Sequence, residues 1–302
     1  MKNGSHKTIV IVGPTASGKS DLALSLARKY NGEIISADSR QVYRGMDIGT
    51  GKVTKAQQRE AKHWLLDVAN PKRSYNVTHF VRDAKKALRD IQKRGKTAII
   101  CGGTGFWVQA LLEDSSFPRV KPNAELRKKL AKLSTAQLFA RLKKQDSRRA
   151  KGIDAKNKVR LIRALEIIAT LGKVPQLSNS EFKIQDLYYI IALNPDKETL
   201  HKNITLRLMK RLKKGMVKEV ERLKKDGLSW KKLESFGLEY KYTALYLQKE
   251  LSRKEMLERL EFEIRHFAKR QLTWLNRMEK QGWKINWISS PEDISNVHSI
   301  LS

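Results

Sequence analysis

Several things are scarce in this chain of 302 residues. It has a single cysteine, Cys101, so no internal disulfide can form and a reducing cytoplasm is the expected setting. Acidic residues are half as numerous as basic ones, 31 Asp+Glu against 62 Lys+Arg, which leaves a formal net charge of +31. Long apolar runs are missing. The first seven residues are polar, and the apolar run behind them is too short for a signal peptide or a membrane span. There is no internal repeat, no low-complexity tract and no metal-ligand spacing of Cys and His. A soluble cytoplasmic protein is expected, monomeric by default, with no membrane and no obligate protein partner.

What is present suits a folded domain with a second module. Hydrophobic residues make up 40% of the chain, enough to bury a sizeable core. An excess of positive charge this large repels itself unless a polyanion offsets it, and nucleic acid is the usual polyanion. The excess is uneven: residues 119 to 183 hold 18 Lys/Arg and 5 Asp/Glu. Carried on helices, that density makes a face for phosphates.

Thr8 to Val12 is a β-branched run ending at a glycine, the pattern of a buried parallel strand. Lys19 to Tyr30 has helical apolar spacing, Glu33 to Ala37 reads as a second strand closed by Asp38, and Val77 to Arg94 as a helix. Thr97 to Cys101 is a further strand, broken by Gly102-Gly103. After Phe117-Pro118, leucines 126, 130, 133, 138 and 142 mark helices, and strand signals return only at Leu187 to Leu193. Leu257, Leu260, Ile264, Phe267, Gln271, Leu275 and Met278 form a long helical stripe, and Trp283 to Ile288 reads as a last strand. The expected fold is α/β, a P-loop NTPase-like parallel sheet flanked by helices. Residues 1–115 and 186–302 would form the core, and 116–185 a basic helical insertion domain.

Gly13-Pro14-Thr15-Ala16-Ser17-Gly18-Lys19-Ser20 follows a strand and opens a helix, the required context of a phosphate-binding loop. Its glycines let backbone N–H groups face a phosphate, and the positive end of the helix adds to them. Lys19 reaches phosphate oxygens, and the Ser20 hydroxyl joins a Mg²⁺ shell. Asp38 ends the second strand, and Gly102-Gly103-Thr104 ends a third. Ligand chemistry in an open α/β sheet gathers at the carboxyl ends of strands, so these segments can converge. A kinase of a small metabolite or nucleoside stays open on these grounds. So does a non-enzymatic RNA-binding protein with a relic P-loop. The kinase is weakened by the lack of a convincing second strand-terminal aspartate, and it leaves the basic insertion unexplained.

Five ordered segments resemble bacterial tRNA dimethylallyltransferases over essentially the whole chain. They are the P-loop (13–20), Asp-Ser-Arg-Gln-Val-Tyr-Arg-Gly-Met-Asp-Ile-Gly-Thr (38–50), Gly-Gly-Thr-Gly-Phe-Trp (102–107), Val-Arg-Leu-Ile-Arg-Ala-Leu-Glu (159–166) and Ala-Lys-Arg-Gln-Leu-Thr-Trp-Leu (268–275). The run from Asp38 to Thr50 is the most diagnostic, since P-loop kinases do not share it. The resemblance implies transfer of a dimethylallyl group from dimethylallyl diphosphate to the exocyclic amine of adenosine 37, beside the anticodon of a tRNA. The P-loop then holds a leaving diphosphate with Mg²⁺ on Ser20. Asp38 is by similarity the base, Arg207 the cation on the leaving group, and Thr15 the partner of the departing oxygen. It further implies that Asp38, Ser39, Arg40, Gln41, Thr104, Arg127, Val159, Arg160, Leu161, Ile162 and Arg163 contact the anticodon stem-loop. A related enzyme acting on free adenine nucleotides would need no basic insertion. Phe106 and Trp107 could wall the prenyl pocket or pack in the core. The sequence departs from the family pattern at Asn203, where another arginine is frequent, at His63-Trp64-Leu65-Leu66-Asp67 and at Phe236 to Lys241.

Overall fold

The computed structural model describes residues 8–115, 117–118, 120–175 and 187–294. The insertion expected at 116–185 therefore lies partly outside the described residues, at 116, 119 and 176–185. The chain divides into two compact units, Met1–Asp114 with Ser180–Ser302, and Ser115–Asn179.

In chain order the elements are β1 (Thr8–Val12), α1 (Lys19–Lys29), β2 (Gly32–Ser36), α2 (Lys55–Glu60), β3 (His63–Trp64), α3 (Val77–Lys93), β4 (Thr97–Cys101) and α4 (Gly105–Leu112). The smaller unit follows with α5 (Ala124–Ala131), α6 (Thr135–Gln145), α7 (Ser147–Lys151) and α8 (Lys158–Leu171). The chain then adds β5 (Tyr188–Leu193), α9 (Lys197–Lys213), α10 (Met216–Lys225), α11 (Trp230–Ser235), α12 (Leu238–Leu247), α13 (Arg253–Lys280) and β6 (Ile285–Ile288). None of the described helices is long and apolar enough to cross a membrane.

The six strands form one all-parallel sheet in the order β3-β2-β4-β1-β5-β6. Parallel strands covered on both faces read as unbroken apolar runs, and every residue of β1 and β2 is buried. Ile9, Ile11, Ile34, Ile99 and Ile191 pack in one cluster with Leu22, Leu26 and Ala27 of α1. Each such leucine or isoleucine side chain stabilises the fold by roughly 1.5–3 kcal/mol relative to exposure. α1 carries the chain from β1 past the place of β4 to β2, so the loops after β1, β2 and β4 all open at one edge of the sheet.

β1, α1, β2, α3, β4, β5 and β6, the elements expected with definite bounds, match to within two residues. α2 and β3 were not expected. α2 buries no residue, so it has no apolar face to read, and β3 is only two residues long. In α13 the inward positions include Met256 and Ala268, while Leu257 and Phe267 are only half-buried.

The smaller unit has its own core, where Val120, Leu130, Leu138, Leu142, Leu161, Leu165 and Ile168 pack together. Glu166 sits in it, 1% exposed as a side chain. Burial pushes its carboxyl up, but Arg127, the Asn123 N–H and Arg163 outweigh that and hold it at about 2.

Glu33 plays a comparable part at the amino end of β2. It is 2% exposed in β2, yet Arg94 approaches it at 2.5 and 2.7 Å, Lys96 at 3.2 Å, and the Trp64 indole N–H donates to it at 2.8 Å. The hydrogen bonds from Arg94 come first among the causes that hold its carboxyl at about 2, below the ordinary 4.5. A depressed carboxylate contributes stability above its unfolded pKa and loses it as pH falls toward the folded one. Glu33→Gln should therefore lower the unfolding free energy at pH 7 by about 2 kcal/mol, discounted for the partly solvated arginine. Most of that gap should be gone near pH 3, as urea titrations at the two pH values would measure. An equal gap at both would mean that packing, not charge, explains the loss.

Candidate active site

The P-loop leaves β1 at Gly13 and closes at Gly18, whose φ of 89° is a left-handed value that glycine adopts without strain. Gly18 then serves as the N-terminal cap of α1 with no side-chain bond to the helix, so the first N–H groups of α1 stay aimed at the cavity. Lys19 folds back over the loop, its ammonium on the Pro14 carbonyl and 3.5 Å from Ser17 Oγ. Burial, with the charge of Arg207 adding to it, lowers its pKa to about 8 against the opposing pull of Cys101 and Asp38.

α9 crosses the open side of this loop. Asn203 Nδ2 reaches the Ala16 carbonyl at 3.5 Å, and Arg207 Nη1 donates to Thr15 Oγ1 at 3.0 Å. Burial and the neighbouring Arg211 pull the Arg207 pKa down to about 10. Residues 203, 207, 210, 211 and 214 all line the cavity, a spacing that follows one face of the helix. Arg211 is 8% exposed and pairs with Glu239 of α12. Lys52, another lining residue, is bound to the Tyr43 carbonyl (2.9 Å), Asp47 (2.5 Å) and Asp67 (2.6 Å).

The opposite wall comes from the ends of β2 and β4. A Cβ on Gly102 would overlap the Ala37 carbonyl, so only glycine lets these two strand ends lie together. Thr104 N donates to Ala37 O at 3.3 Å, and Thr104 Oγ1 accepts from Ser39 N at 3.0 Å. The turn so clamped presents Asp38. Its Oδ1 accepts the N–H groups of Arg40 (2.8 Å) and Gln41 (3.3 Å), while Gln41 accepts from Ser36 Oγ at 3.1 Å. Both bonds to Asp38 fall on one oxygen, so the other keeps its lone pairs. Further along, the N–H groups of Asp47, Ile48 and Gly49 all donate to the buried carboxylate of Glu219 at 2.8–2.9 Å, which also accepts from Tyr240 OH. The run from Asp38 to Thr50 is thus held at both ends.

These walls enclose a cavity of about 1020 Å³ within the larger unit. Thr15, Ala16, Ser17, Gly18, Lys19, Ser20, Asp38, Gln41 and Arg207 line it together. Gly13 and Pro14 form the base of the loop. Ser39, Arg40 and Thr104 do not line the cavity; Arg40 instead donates through Nε to the Phe236 carbonyl at 2.6 Å. Trp107 is a core residue, 4.7 Å from Phe80 in a stacked pair, and Phe106 is 54% exposed. Neither lines the cavity, whose apolar lining includes Ile34, Ile48, Val53, Leu206 and Phe267. Arg127, Val159, Arg160, Leu161, Ile162 and Arg163 all belong to the smaller unit. Val159 and Arg160 are exposed there, whereas Arg127 and Arg163 are tied to Glu166. Leu161 is fully buried in that unit's core. Arg211, Lys210, Lys214 and Phe267 were not anticipated. The i, i+4, i+7, i+8 spacing of 203, 207, 210 and 211 was the available signal.

The IPP transferase family model matches residues 41–278. The chain is 43% identical over 288 residues to tRNA dimethylallyltransferase 2 of Treponema denticola, covering 94% of this chain and 96% of that one. It is 42% identical over 295 residues to tRNA dimethylallyltransferase 1 of Geotalea daltonii, covering 97% and 94%. Among solved structures it resembles the full-length tRNA isopentenylpyrophosphate transferase of Bacillus halodurans, with a TM-score of 0.71 at 30% identity over 98% of this chain and 95% of that one. It also resembles a eukaryotic dimethylallyltransferase acting on tRNA, with a TM-score of 0.80 at 25% identity over 94% of this chain and 73% of that one. The family model spans most of the chain and the relatives cover nearly all of it, and the chain belongs to the IPP transferase family, the tRNA dimethylallyltransferases.

Proposed function

We propose that the chain transfers the dimethylallyl group of dimethylallyl diphosphate to N6 of adenosine 37, beside the anticodon of a tRNA, and releases diphosphate. One observation carries this: Lys19, Thr15 and Arg207 stand on one wall of a single cavity and Asp38 on the other. The C–O bond of the donor breaks as the N6–C bond forms. The departing diphosphate gains negative charge, and the P-loop N–H groups, Lys19 and Arg207 are placed to stabilise it. An exocyclic adenine amine is a weak nucleophile because its lone pair is shared with the ring. Asp38 takes its proton as the new bond forms, through the oxygen left free of backbone bonds.

Mg²⁺ fits this site as a companion of the donor. The described residues contain no cluster of three or more His, Cys, Asp or Glu side chains able to hold a metal. Mg²⁺ keeps several waters and is commonly bound by one or two protein oxygens plus substrate phosphates, a need that Ser20 Oγ in the cavity wall meets. When bound it would neutralise charge on the leaving diphosphate.

The acceptor would be the anticodon stem-loop, whose unstacked bases can be drawn out into a pocket. A net charge of +31 supplies the attraction, and the exposed Arg160 of the smaller unit is among its contacts.

Incubation with dimethylallyl diphosphate, Mg²⁺ and either anticodon stem-loop RNA, AMP, or ATP with candidate acceptors should yield prenylated adenosine in the RNA alone. Phosphate transfer from ATP, or prenylated AMP without prenylated RNA, would replace this proposal with a kinase or a free-nucleotide enzyme.

Asp38→Asn keeps an Oδ1 that accepts from Arg40 and Gln41 but removes the proton acceptor. It should lower kcat by roughly 10²–10⁴ while leaving the RNA dissociation constant unchanged; turnover within a few-fold of the parent would exclude Asp38 as the base.

Lys19 sets a pH dependence. Its pKa in the free protein is lowered to about 8, so it is charged below that and neutral above. A polyanionic donor binds the charged form, and binding above pH 8 must take up a proton. KM for the donor should therefore be flat below pH 8 and climb above it, by at most about tenfold per pH unit for one linked proton. Lys19→Met should raise KM and flatten its dependence on pH.

A further inference from the structure

Two of the sequence segments, Gly102–Trp107 and Ala268–Leu275, meet as the halves of one joint. Gln271 projects from α13 and is 8% exposed. Its Oε1 accepts the Thr15 N–H at 2.7 Å, and its Nε2 donates to the Gly103 carbonyl at 2.8 Å. The orientation of the amide is unambiguous, because a flipped group would set donor against donor and acceptor against acceptor. Gly103 must be bare for this, since a Cβ there would overlap the Gln271 amide nitrogen. Less than one turn further along α13, the Trp274 ring lies where a Cβ on Gly105 would be, and its Nε1 donates to Gln109 Oε1 at 3.3 Å. α13 is keyed to the end of β4 by two side chains that sit against two glycines.

The partners of Gln271 belong to opposite walls of the cavity. Thr15 carries the hydroxyl that Arg207 grips. Gly103 precedes Thr104, whose Oγ1 holds the N–H of Ser39, the residue after Asp38. One buried amide therefore ties the diphosphate loop to the turn that presents the proton acceptor. It also occupies the Thr15 N–H, which leaves the remaining P-loop amides to form the anion cradle.

We propose that Gln271 is a positioning residue for the transfer reaction: it holds the P-loop and the Asp38 turn at a fixed separation, so that the leaving oxygen and the proton acceptor stay in register. The inference rests on the function proposed above. Misplacement of reacting groups by a fraction of an ångström costs rate without removing a binding contact. Gln271→Met fills the same space without either hydrogen bond. Gln271→Glu supplies a switch: its ionised carboxylate turns an oxygen lone pair against the Gly103 carbonyl, whereas its protonated form accepts from Thr15 N–H and donates to Gly103 O as the amide does.

The test is single-turnover prenylation of anticodon stem-loop RNA, with rates normalised to active sites by burst amplitude so that loss of folded protein does not count. For Gln271→Met the rate should fall by roughly tenfold or more, with KM for both substrates within a few-fold of the parent. For Gln271→Glu the ratio of its rate to the parent's should rise as the pH is lowered from about 8 to about 5.5, as the buried carboxyl gains its proton. A Gln271→Met rate per active site close to the parent's, or a Gln271→Glu ratio that does not change with pH, overturns the inference. A parent protein that does not prenylate RNA overturns the function and is a separate outcome.

Discussion

Like charges held together in a partly dehydrated wall set the terms for the rest of this site. Burial lowers the pKa of both Lys19 and Arg207, and a neighbouring cation, Arg207 for the first and Arg211 for the second, lowers each further. A protein does not keep such an arrangement without a use for it, because each cation costs solvation that its neighbours do not return. A polyanion between the P-loop and α9 removes the conflict and raises the pKa of both groups again. The backbone N–H groups at the start of α1 point to the same place for the same reason.

The opposing wall is organised by contact, not by charge. Gly102 lets the ends of β2 and β4 touch, Thr104 and Ser39 fasten them, and Asp38 is carried on the turn that results. Glu219 gathers three consecutive N–H groups at the far end of the same run. A buried carboxylate that accepts three backbone donors and a tyrosine hydroxyl is fully satisfied, and it fixes the path of the Asp47–Gly49 backbone. Catalysis of group transfer between two substrates needs walls whose separation does not drift, and the long-range bonds that link them provide it.

The buried ion pairs share one design. Glu33, Glu166 and Glu239 are each enclosed with arginine, and the first two are held far below the ordinary carboxylate range. In a chain with twice as many basic as acidic residues, acids are the scarce partner, and Glu33 and Glu166 are the buried members of their pairs, beside arginines that stay partly exposed. Arg127 and Arg163 are examples: both lie in a segment read as an RNA-binding face, and both are committed to Glu166 in the structure.

By itself the sequence determined the elements whose apolar periodicity and end signals are local. The β-branched run of β1, the glycines of the P-loop and the leucines of the smaller unit are such cases. It also determined the family, through five ordered segments, because residue identity at those positions answers to the chemistry of the reaction. Tertiary structure alone decided what those residues touch. That Gln271 reaches Thr15 across 256 positions of sequence, that Leu161 faces a core, and that Trp107 stacks on Phe80 are outcomes of packing between distant segments. No local pattern carries that information, since helical spacing tells which side chains share a face but not what lies opposite it. The short β3 and the apolar-poor α2 escaped the sequence for the complementary reason: β3 is two residues paired to β2, and α2 has no buried face to set an apolar period.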